Sequence, residues 1–547
     1  MNKRGFTLVE LIAVLGLLTI IALMAVPILI NQVDSQKKKN YENFVDSLCL
    51  SAEAYINHTD DIEGIDEFKE VGDSINIKME DLLTNNFVKK NTKNPKTKEV
   101  VKANDIVTVT INDDKTYECS LNGTGSKKYK EEILNGAYPV LNSDMIPVTI
   151  DNDGTVKKAD TKKEWYKYAN KKWANAVVLV NDTDYDVGKV IPENNIKAYY
   201  VWIPRYKYKL FDNTTESQID IVFENKKTEK SSTTTVGEYL THPAFTFGDK
   251  ELNGFWVGKF ETSVATTDTC YTSPSVDNCD KELDSPMIKP NVSSLRYQKV
   301  ANQYRTSRKI SENSRMMKND EWGAVAYLSH SKYGIKAKVR INNNSNFTTG
   351  CGASSTGGSS TTECQIKYGE AVSYPQSTTG NLSGIFDMSG GAMEYMMAVL
   401  ADSEGKPISG RNRALHSGFN GKFGCPTCDS QTETELTTGI DFPDSKYYNV
   451  FDNPSNRSSI TENNGCNGSK CYGHAMGEIR KSSAETGTWY EEYSYFVSAT
   501  HPWMKRGGSY ANGNNAGIFA FINERGSASG ASAYDTFSFR TVTTQYK

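Results

Sequence analysis

Apolar residues near the N-terminus follow a helical pattern. Residues 11–30 carry no charge, and a run of this length spans a bilayer core as a single helix. Beyond this run, apolar side chains recur three or four positions apart at Phe44, Leu48, Ala52 and Tyr55. This spacing predicts that a helix continues past the apolar run with one buried face.

The rest of the chain has shorter and more varied patterns. Residues 105–120 alternate between apolar and polar, which predicts two strands of a hairpin. From residue 137 onward, short apolar runs are separated by long loops rich in Gly, Ser, Thr and Asn. One segment, residues 316–334, predicts a helix with a single apolar face formed by Met317, Trp322, Val325 and Leu328. The pattern favours an α+β protein: a long N-terminal hydrophobic helix, a small β head and a large irregular domain.

Composition narrows the classes of function. The chain has 547 residues, a formal net charge of −4 and 37% hydrophobic residues. Its length implies more than one domain, and its charge argues against a basic nucleic-acid binder or a disordered acidic chain. Thirty tyrosines suit either a recognition surface or β-strands, and composition does not separate these two interpretations.

The first residues resemble the class III signal of type IV pilins and type II secretion pseudopilins. The segment "KRGFTLVEL" places two basic residues before Gly5, Phe6 after it, and Glu10 inside the apolar run. The resemblance implies cleavage between Gly5 and Phe6 by a prepilin peptidase, N-methylation of Phe6 and assembly with other pilin subunits. A carboxylate in an apolar helix needs a partner, and the Phe6 amino group of a neighbouring subunit would supply one for Glu10. The alternative is an ordinary single-pass anchor.

The leader sets the expected organisation and location. Residues 1–5 form the leader, 6–30 the membrane and pilin-core helix, 31–136 a helix extension with a small β head, and 137–547 a separate large domain. The expected product is a single-pass membrane protein with an extracellular ectodomain, at the cell surface or in a pilus of a bacterium.

Ten cysteines agree with an exported chain. Their even number and local spacing are typical of disulfides. The expected pairs are Cys49–Cys119, Cys270–Cys279, Cys351–Cys364, Cys425–Cys428 and Cys466–Cys471. Two other interpretations stay open: a redox pair at Cys425 and Cys428, or a zinc site formed by these two with Cys466 and Cys471.

Five motifs in order resemble the formylglycine-generating-enzyme-like branch of the C-type lectin fold. They are "GFWVGKFETS", "NDEWGAVAYLS", "NLSGIFDMSGGAMEY", "KRGGSY" and "FSFR", within residues 254–540. The resemblance covers roughly residues 137–547. The chain departs from the family pattern at two places. Gly391, Ala392 and Met393 stand where the family usually has Asn-Val-Trp, and Tyr395 and Tyr510 stand where it has tryptophans.

The residues that carry out the chemistry of this enzyme family are not found at the matching positions of this sequence. Oxidases of the family place reactive cysteines between the last two motifs, whereas no cysteine lies between Arg506 and Arg540. A thiol-copper oxidase would have no thiolate there. Other relatives hold iron with a histidine triad, but the six histidines are far apart in the sequence. We therefore predict a protein that is not an enzyme, with an altered oxidoreductase of this family as an alternative.

The C-terminal segment resembles the variable region of diversity-generating retroelement target proteins. Anchors of the "RGGS" and "FR" types flank a stretch rich in Asn, Ser, Tyr, Gly and Ala. In "NGNNAGIFAF", alternation predicts Gly517, Phe519 and Phe521 facing the core and the intervening residues facing outward. The predicted ligand-contact residues are Ser509, Tyr510, Asn512, Asn514, Asn515, Ile518, Ala520, Ile522, Asn523, Arg525, Ser532 and Tyr534. The plainer interpretation is a Gly/Ser-rich loop that only covers the end of the domain.

These features predict a minor or tip pilin-like subunit that presents a binding domain to an unknown surface protein or glycan. A purely structural pilin or pseudopilin subunit is the alternative from another class. Calcium is an optional cofactor because relatives often bind it, and Asp387 or Asp535 would contribute oxygens.

Overall fold

The computed structural model describes most of the chain after residue 36. The described residues are 37–130 and 139–401, each with short gaps, together with 407, 417–419, 440–453, 461–466, 471–499, 501–523 and 533–545. The chain divides into two compact units, Met1–Leu134 and Asn135–Lys547. Gly5, Phe6 and Glu10 lie outside the described residues, as do Arg525, Ser532, Cys425 and Cys428.

The first unit packs a helix against a four-stranded antiparallel sheet. Helix α1 includes residues 40–52, and the predicted apolar positions Phe44, Leu48, Ala52 and Tyr55 are buried. The other elements are β1 (Ser74–Lys78), α2 (Met79–Thr84), β2 (Ile106–Ile111), β3 (Thr116–Leu121) and β4 (Thr124–Lys130), with sheet order β1-β2-β3-β4. Strands β2 and β3 pair antiparallel, as the alternating pattern of residues 105–120 predicts. Among the described residues no helix is long and apolar enough to cross a membrane, and the apolar segment 11–30 lies outside them.

The second unit is built on a seven-stranded antiparallel sheet. Its strands are β5 (Met145–Ile150), β6 (Val156–Lys158), β7 (Asn175–Leu179), β8 (Ile196–Pro204), β14 (Gly254–Gly258), β17 (Ser314–Met316) and β23 (Thr541–Thr543), in the order β17-β23-β14-β8-β7-β5-β6. Trp202 of β8 faces Trp256 of β14 across the ladder, with ring centroids 5.2 Å apart. Every residue of β14 is buried, as expected for a strand covered on both faces.

A second sheet carries the C-terminal motifs. It contains β18 (Met393–Leu400), β19 (Asn449–Phe451), β20 (Trp503–Gly507), β21 (Gly517–Ile522) and β22 (Phe537–Phe539), in the order β19-β18-β20-β21, with β22 also on β18. The described residues of this unit also form three small sheets. They consist of β9 (Tyr206–Lys209), β10 (Ile221–Phe223) and β11 (Tyr239–Thr241), of β12 (Thr246–Phe247) and β13 (Lys250–Glu251), and of β15 (Ser263–Val264) and β16 (Pro286–Met287).

Helices are few and short in the described part of this unit. They are α3 (Thr269–Thr272), α4 (Val276–Cys279), α5 (Val300–Ser307), α6 (Asn319–Ser329) and α7 (Glu462–Gly465). The predicted helix of residues 316–334 is confirmed as α6, but the prediction of a single apolar face is wrong because all eleven of its residues are buried. Its charged residues are compensated by ion pairs, Glu321 with Arg315 and Asp320 with Lys318.

Arg540 lies where the chain passes from one sheet to the other, between β22 and β23. Its guanidinium is fully buried and donates to Glu394 Oε2 at 3.0 Å and Oε1 at 2.5 Å. It also donates to the carbonyl oxygens of Gly258 at 2.8 Å and Phe386 at 3.0 Å. This one side chain therefore joins β14, β18 and the loop segment that contains Phe386.

Four of the five expected disulfides lie within the described residues and are confirmed. They are Cys49–Cys119, Cys270–Cys279, Cys351–Cys364 and Cys466–Cys471. Because Cys466 and Cys471 are bonded to each other, they offer no thiolates to a metal, and the zinc site that included them is wrong.

We expect Arg540→Met to lower the free energy of unfolding of the full-length protein by about 3–5 kcal/mol, because Glu394 would lose its buried partner. Denaturant titration measures this loss. Arg305→Met is the matched control, since Arg305 pairs with Glu282 at the surface with 43% of its side chain exposed, and should cost less than about 1 kcal/mol. Equal losses in the two variants would contradict the role assigned to Arg540.

Candidate ligand-binding face

A surface loop of residues 510–515 connects the buried strands β20 and β21. A tight turn starts the loop, in which Asn512 Oδ1 accepts from the backbone N–H of Ser509 at 2.7 Å and from its hydroxyl at 3.2 Å. Gly508 precedes the turn with a φ of +73°, and a Cβ there would lie 2.8 Å from the Cα of Ala516. Only glycine fits this position, which explains the second glycine of "RGGSY".

Arg506 anchors the start of the loop from below. Its guanidinium is fully buried and donates to the carbonyl oxygens of His474 at 3.2 Å and Ala475 at 3.0 Å, and to Asn319 Oδ1 at 3.3 Å. Burial lowers the pKa of Arg506 to about 9. Trp322 is tied to the same region, because its indole N–H donates to the Ile518 carbonyl at 2.7 Å.

A buried carboxylate supports the loop from the other side. Glu261 Oε1 accepts from the Ala392 N–H at 3.0 Å, and the Ser294 hydroxyl donates to Oε2. A Cβ at Gly391, where φ is +67°, would lie 2.5 Å from Glu261 Oε1, so this position favours glycine for both steric and backbone reasons. Burial raises the pKa of Glu261 well above its usual range, and the carboxylates of Asp387 and Glu394 add to that rise.

Above this base, three distant segments meet at the surface. The Tyr510 backbone N–H donates to the Gly391 carbonyl at 2.8 Å, and the Tyr510 ring meets the Phe347 ring edge-on at 4.9 Å. The Arg296 guanidinium lies over Phe347, 4.0 Å from the ring centroid, and donates to the Asp535 carbonyl at 2.7 Å. Tyr510 and Arg296 are both half-buried, so each keeps part of its side chain available to a ligand.

A second exposed loop lies beside this cluster. The Cys351–Cys364 disulfide closes it, and a Cβ on its Gly357 would lie 1.8 Å from Asn514 Oδ1. Loop 510–515 is further held by Lys338, whose ammonium donates to the Asn514 carbonyl, and by Asn515, whose side chain donates to the Glu491 carbonyl at 2.9 Å. We call the surface formed by Arg296, Gly357 and loop 510–515 the apical face; the Phe347 ring, which is 5% exposed, is buried between Arg296 and Tyr510.

The predicted alternation along β21 is wrong. Ile518, Ala520 and Ile522 were expected to face outward, but they are 2%, 0% and 1% exposed. Both faces of the strand are covered, and on one of them the Phe519 ring packs 5.5 Å from Trp489. The uninterrupted apolar run "GIFAFI" is typical of a fully buried strand, and that signal outweighs the alternation around it.

The other predicted contact residues divide between surface and interior. Ser509 is 4% exposed and forms the turn. Asn523 is half-buried, and its side chain donates to the Phe496 carbonyl at 2.7 Å. Tyr510, Asn512, Asn515 and Tyr534 are half-buried, and Asn514 is exposed. Sequence reasoning missed Arg296, Phe347 and Gly357, because nothing in their local patterns places them near the C-terminal segment.

The optional calcium ligands do not form a cluster in the structure. Asp387 is buried and accepts from the Asn342 side chain and the Gly350 N–H, both at 2.9 Å. Burial raises its pKa to about 6. Asp535 is exposed. In the part of the chain that the structure describes, no group of three or more His, Cys, Asp or Glu residues is placed to hold a metal ion.

Glu492 lies under β21, and its pKa differs between the folded and the unfolded protein. It is fully buried, and its Oε2 accepts from the Phe519 N–H at 2.8 Å. Burial raises its pKa from near 4.5 to about 8. The folded protein therefore keeps this proton while the unfolded chain loses it, so the contribution of Glu492 to stability falls as the pH rises from about 4.5 to about 8.

We expect Glu492→Gln to remove the part of the pH dependence of stability that comes from Glu492. Relative to the variant, the unchanged protein should lose free energy of unfolding between pH 5 and pH 8, by at most roughly 1.4 kcal/mol per pH unit. Parallel denaturant titrations at several pH values measure the difference. A difference that stays constant across this range would show that Glu492 does not titrate with a raised pKa.

Similarity to known proteins is found mainly at the N-terminus. No curated protein matches the chain. Among solved structures, the chain is similar to the "Major Tropism Determinant P3c Variant" at 11% sequence identity, over 80% of this chain and 93% of that one, with a TM-score of 0.23. A TM-score this low does not establish a shared fold.

A family model described as "Prokaryotic N-terminal methylation motif" matches residues 1–26. The chain therefore carries a type IV pilin-like N-terminal methylation motif, which implies processing by a prepilin peptidase, assembly with other pilins and a surface or pilus location in bacteria.

Proposed function

We propose that this protein is a minor or tip pilin-like subunit whose large domain is a non-catalytic adhesin. Cleavage between Gly5 and Phe6 with N-methylation of Phe6 prepares the N-terminal helix for assembly, and Glu10 pairs with the amino group of a neighbouring subunit. Residues 137–547 form a domain of the formylglycine-generating-enzyme-like C-type lectin type. Its apical face contacts a surface protein or a glycan without forming a covalent bond.

The observation that carries this proposal is that Arg296 and Tyr510 of loop 510–515 meet around the ring of Phe347. The Tyr510 ring, the Arg296 guanidinium and several asparagine amides within one surface offer both apolar area and hydrogen bonds, as binding surfaces generally do. Tyr and Arg are also the residue types that dominate the binding energy of interfaces. The non-catalytic part of the proposal rests on the absence of cysteine between Arg506 and Arg540.

The apical loop also suits sequence diversification. Arg506, just before loop 510–515, and Arg540, near the end of the chain, make their hydrogen bonds inside the domain, while Ala511 and Asn514 are exposed. Exposed loop positions between buried anchors tolerate substitution without loss of the core. Deep sequencing of this gene from one cultured population should find substitutions among residues 510–515 and none at the two arginines. An invariant loop would leave an adhesin of fixed specificity.

Ala511→Arg tests the adhesin in the bacterium that makes it. The change adds a bulky charge on the apical face at an exposed position and touches no buried contact. We expect attachment of cells to their target surface to fall by at least about tenfold, equivalent to about 1.4 kcal/mol. Ala484→Arg is the matched control, because Ala484 is an exposed alanine in a loop that is not part of the apical face.

Surface display of both variants is quantified with an antibody, and filaments are counted by electron microscopy. Unchanged attachment in a normally displayed Ala511→Arg variant would contradict the proposal. Loss of filaments on deletion of residues 137–547 would instead favour a structural pilin.

A further inference from the structure

A cleft separate from the apical face lies at the β5 and β7 side of the seven-stranded sheet. Its volume is about 530 Å³, within the range of small-ligand sites. The lining comes from the end of β5 and the residues after it, from the segment around Trp165 and Trp173, and from residues 381–383. All of these belong to the second unit.

The floor of the cleft is held from beneath by a buried lysine. The Lys259 ammonium is fully buried and donates to Asn175 Oδ1 at 2.9 Å and to the carbonyl oxygens of Leu382 at 2.6 Å and Gly384 at 2.7 Å. The Asn175 amide in turn donates to the Ser383 carbonyl at 2.8 Å. Because three oxygens satisfy the three donors of Lys259, two lining segments are fixed relative to each other.

The walls are fixed in the same way. The Trp173 backbone N–H donates to the Ser383 hydroxyl at 2.9 Å, and its indole N–H donates to the Tyr333 carbonyl at 2.8 Å. The Asn381 amide donates to the Lys171 carbonyl at 2.9 Å. A cleft with its shape set by internal hydrogen bonds loses little entropy when a ligand enters.

Two polar groups at the cleft remain open to a ligand. Trp165 is 6% exposed, and among the described residues its indole N–H has no hydrogen-bond partner. Lys172 is exposed, and within the same part of the chain its ammonium has no ion-pair partner. Asp151, the carboxylate of the lining, is already neutralised by Lys157 at 2.5 Å. Among the lining residues, the charge without an ion-pair partner in the described part of the chain is therefore that of Lys172.

We propose that this cleft is a second binding site, and that it takes a saccharide carrying an anionic group. The rings of Trp165 and Trp173 are 6% and 1% exposed, so it is the Trp165 N–H, and not a ring face, that contacts the sugar, by donating to a hydroxyl. Asn152 at the exposed rim adds amide donors and acceptors. The Lys172 ammonium pairs with a carboxylate or a phosphate on the sugar.

The test uses the full-length protein in mild detergent on a glycan array. The array carries saccharides with uronic acid, sialic acid or phosphate groups, their neutral counterparts, and poly-glutamate. We expect retention by anionic saccharides, and which of the three groups is retained identifies the source of the charge. Lys172→Gln should bind about tenfold more weakly, as expected for the loss of one charge-assisted hydrogen bond. Trp165→Phe, which keeps an aromatic ring but removes the N–H, should also bind more weakly.

Two control variants keep the outcome interpretable. Lys281→Gln changes an exposed lysine of another segment, and Ala511→Arg blocks the apical face; neither should alter saccharide binding. Binding that is lost in Ala511→Arg but kept in Lys172→Gln would move the ligand to the apical face and overturn this proposal. Retention of no saccharide, equal retention of neutral saccharides, or retention of poly-glutamate alone would overturn it as well.

Discussion

The guanidinium of Arg540 is the contact on which the large domain depends. The chain changes sheets at this residue, because β22 belongs to one sheet and β23 to the other. Burying a guanidinium is costly unless it is paired and hydrogen-bonded, and Arg540 meets both conditions through Glu394 and the carbonyls of Gly258 and Phe386. The same side chain that permits the crossing thus holds the two sheets together.

The apical face inherits its geometry from similar buried polar groups. Arg506 holds the start of loop 510–515 from below, and Glu261 holds the chain at Gly391 and Ala392. Tyr510 hydrogen-bonds to Gly391, so the loop rests on a base that has little freedom to change. Polar networks that are satisfied inside a core specify one arrangement, and this frees the exposed positions above them from a structural role.

The two candidate sites differ in how they are built. The apical face is an exposed surface assembled from loops, and one of these is closed by the Cys351–Cys364 disulfide. The cleft beside β5 is concave, and Lys259 fixes its floor from the interior. A broad surface suits a macromolecular partner, whereas a concave site suits a small ligand such as a saccharide.

The sequence alone determined the features that depend on residues close together along the chain. Residues 1–26 carry their motif, helix α6 and the β2–β3 hairpin follow local patterns, and three disulfides join cysteines that are 5, 9 and 13 residues apart. The fourth, Cys49–Cys119, spans 70 residues and follows from the even number of cysteines. Tertiary structure decided the burial of Ile518 on a strand covered from both sides, and it brought Arg296 and Phe347 to Tyr510. Periodicity reports only whether a face is apolar; which layer covers that face, and which distant loop lies beside it, follow from how the sheets pack.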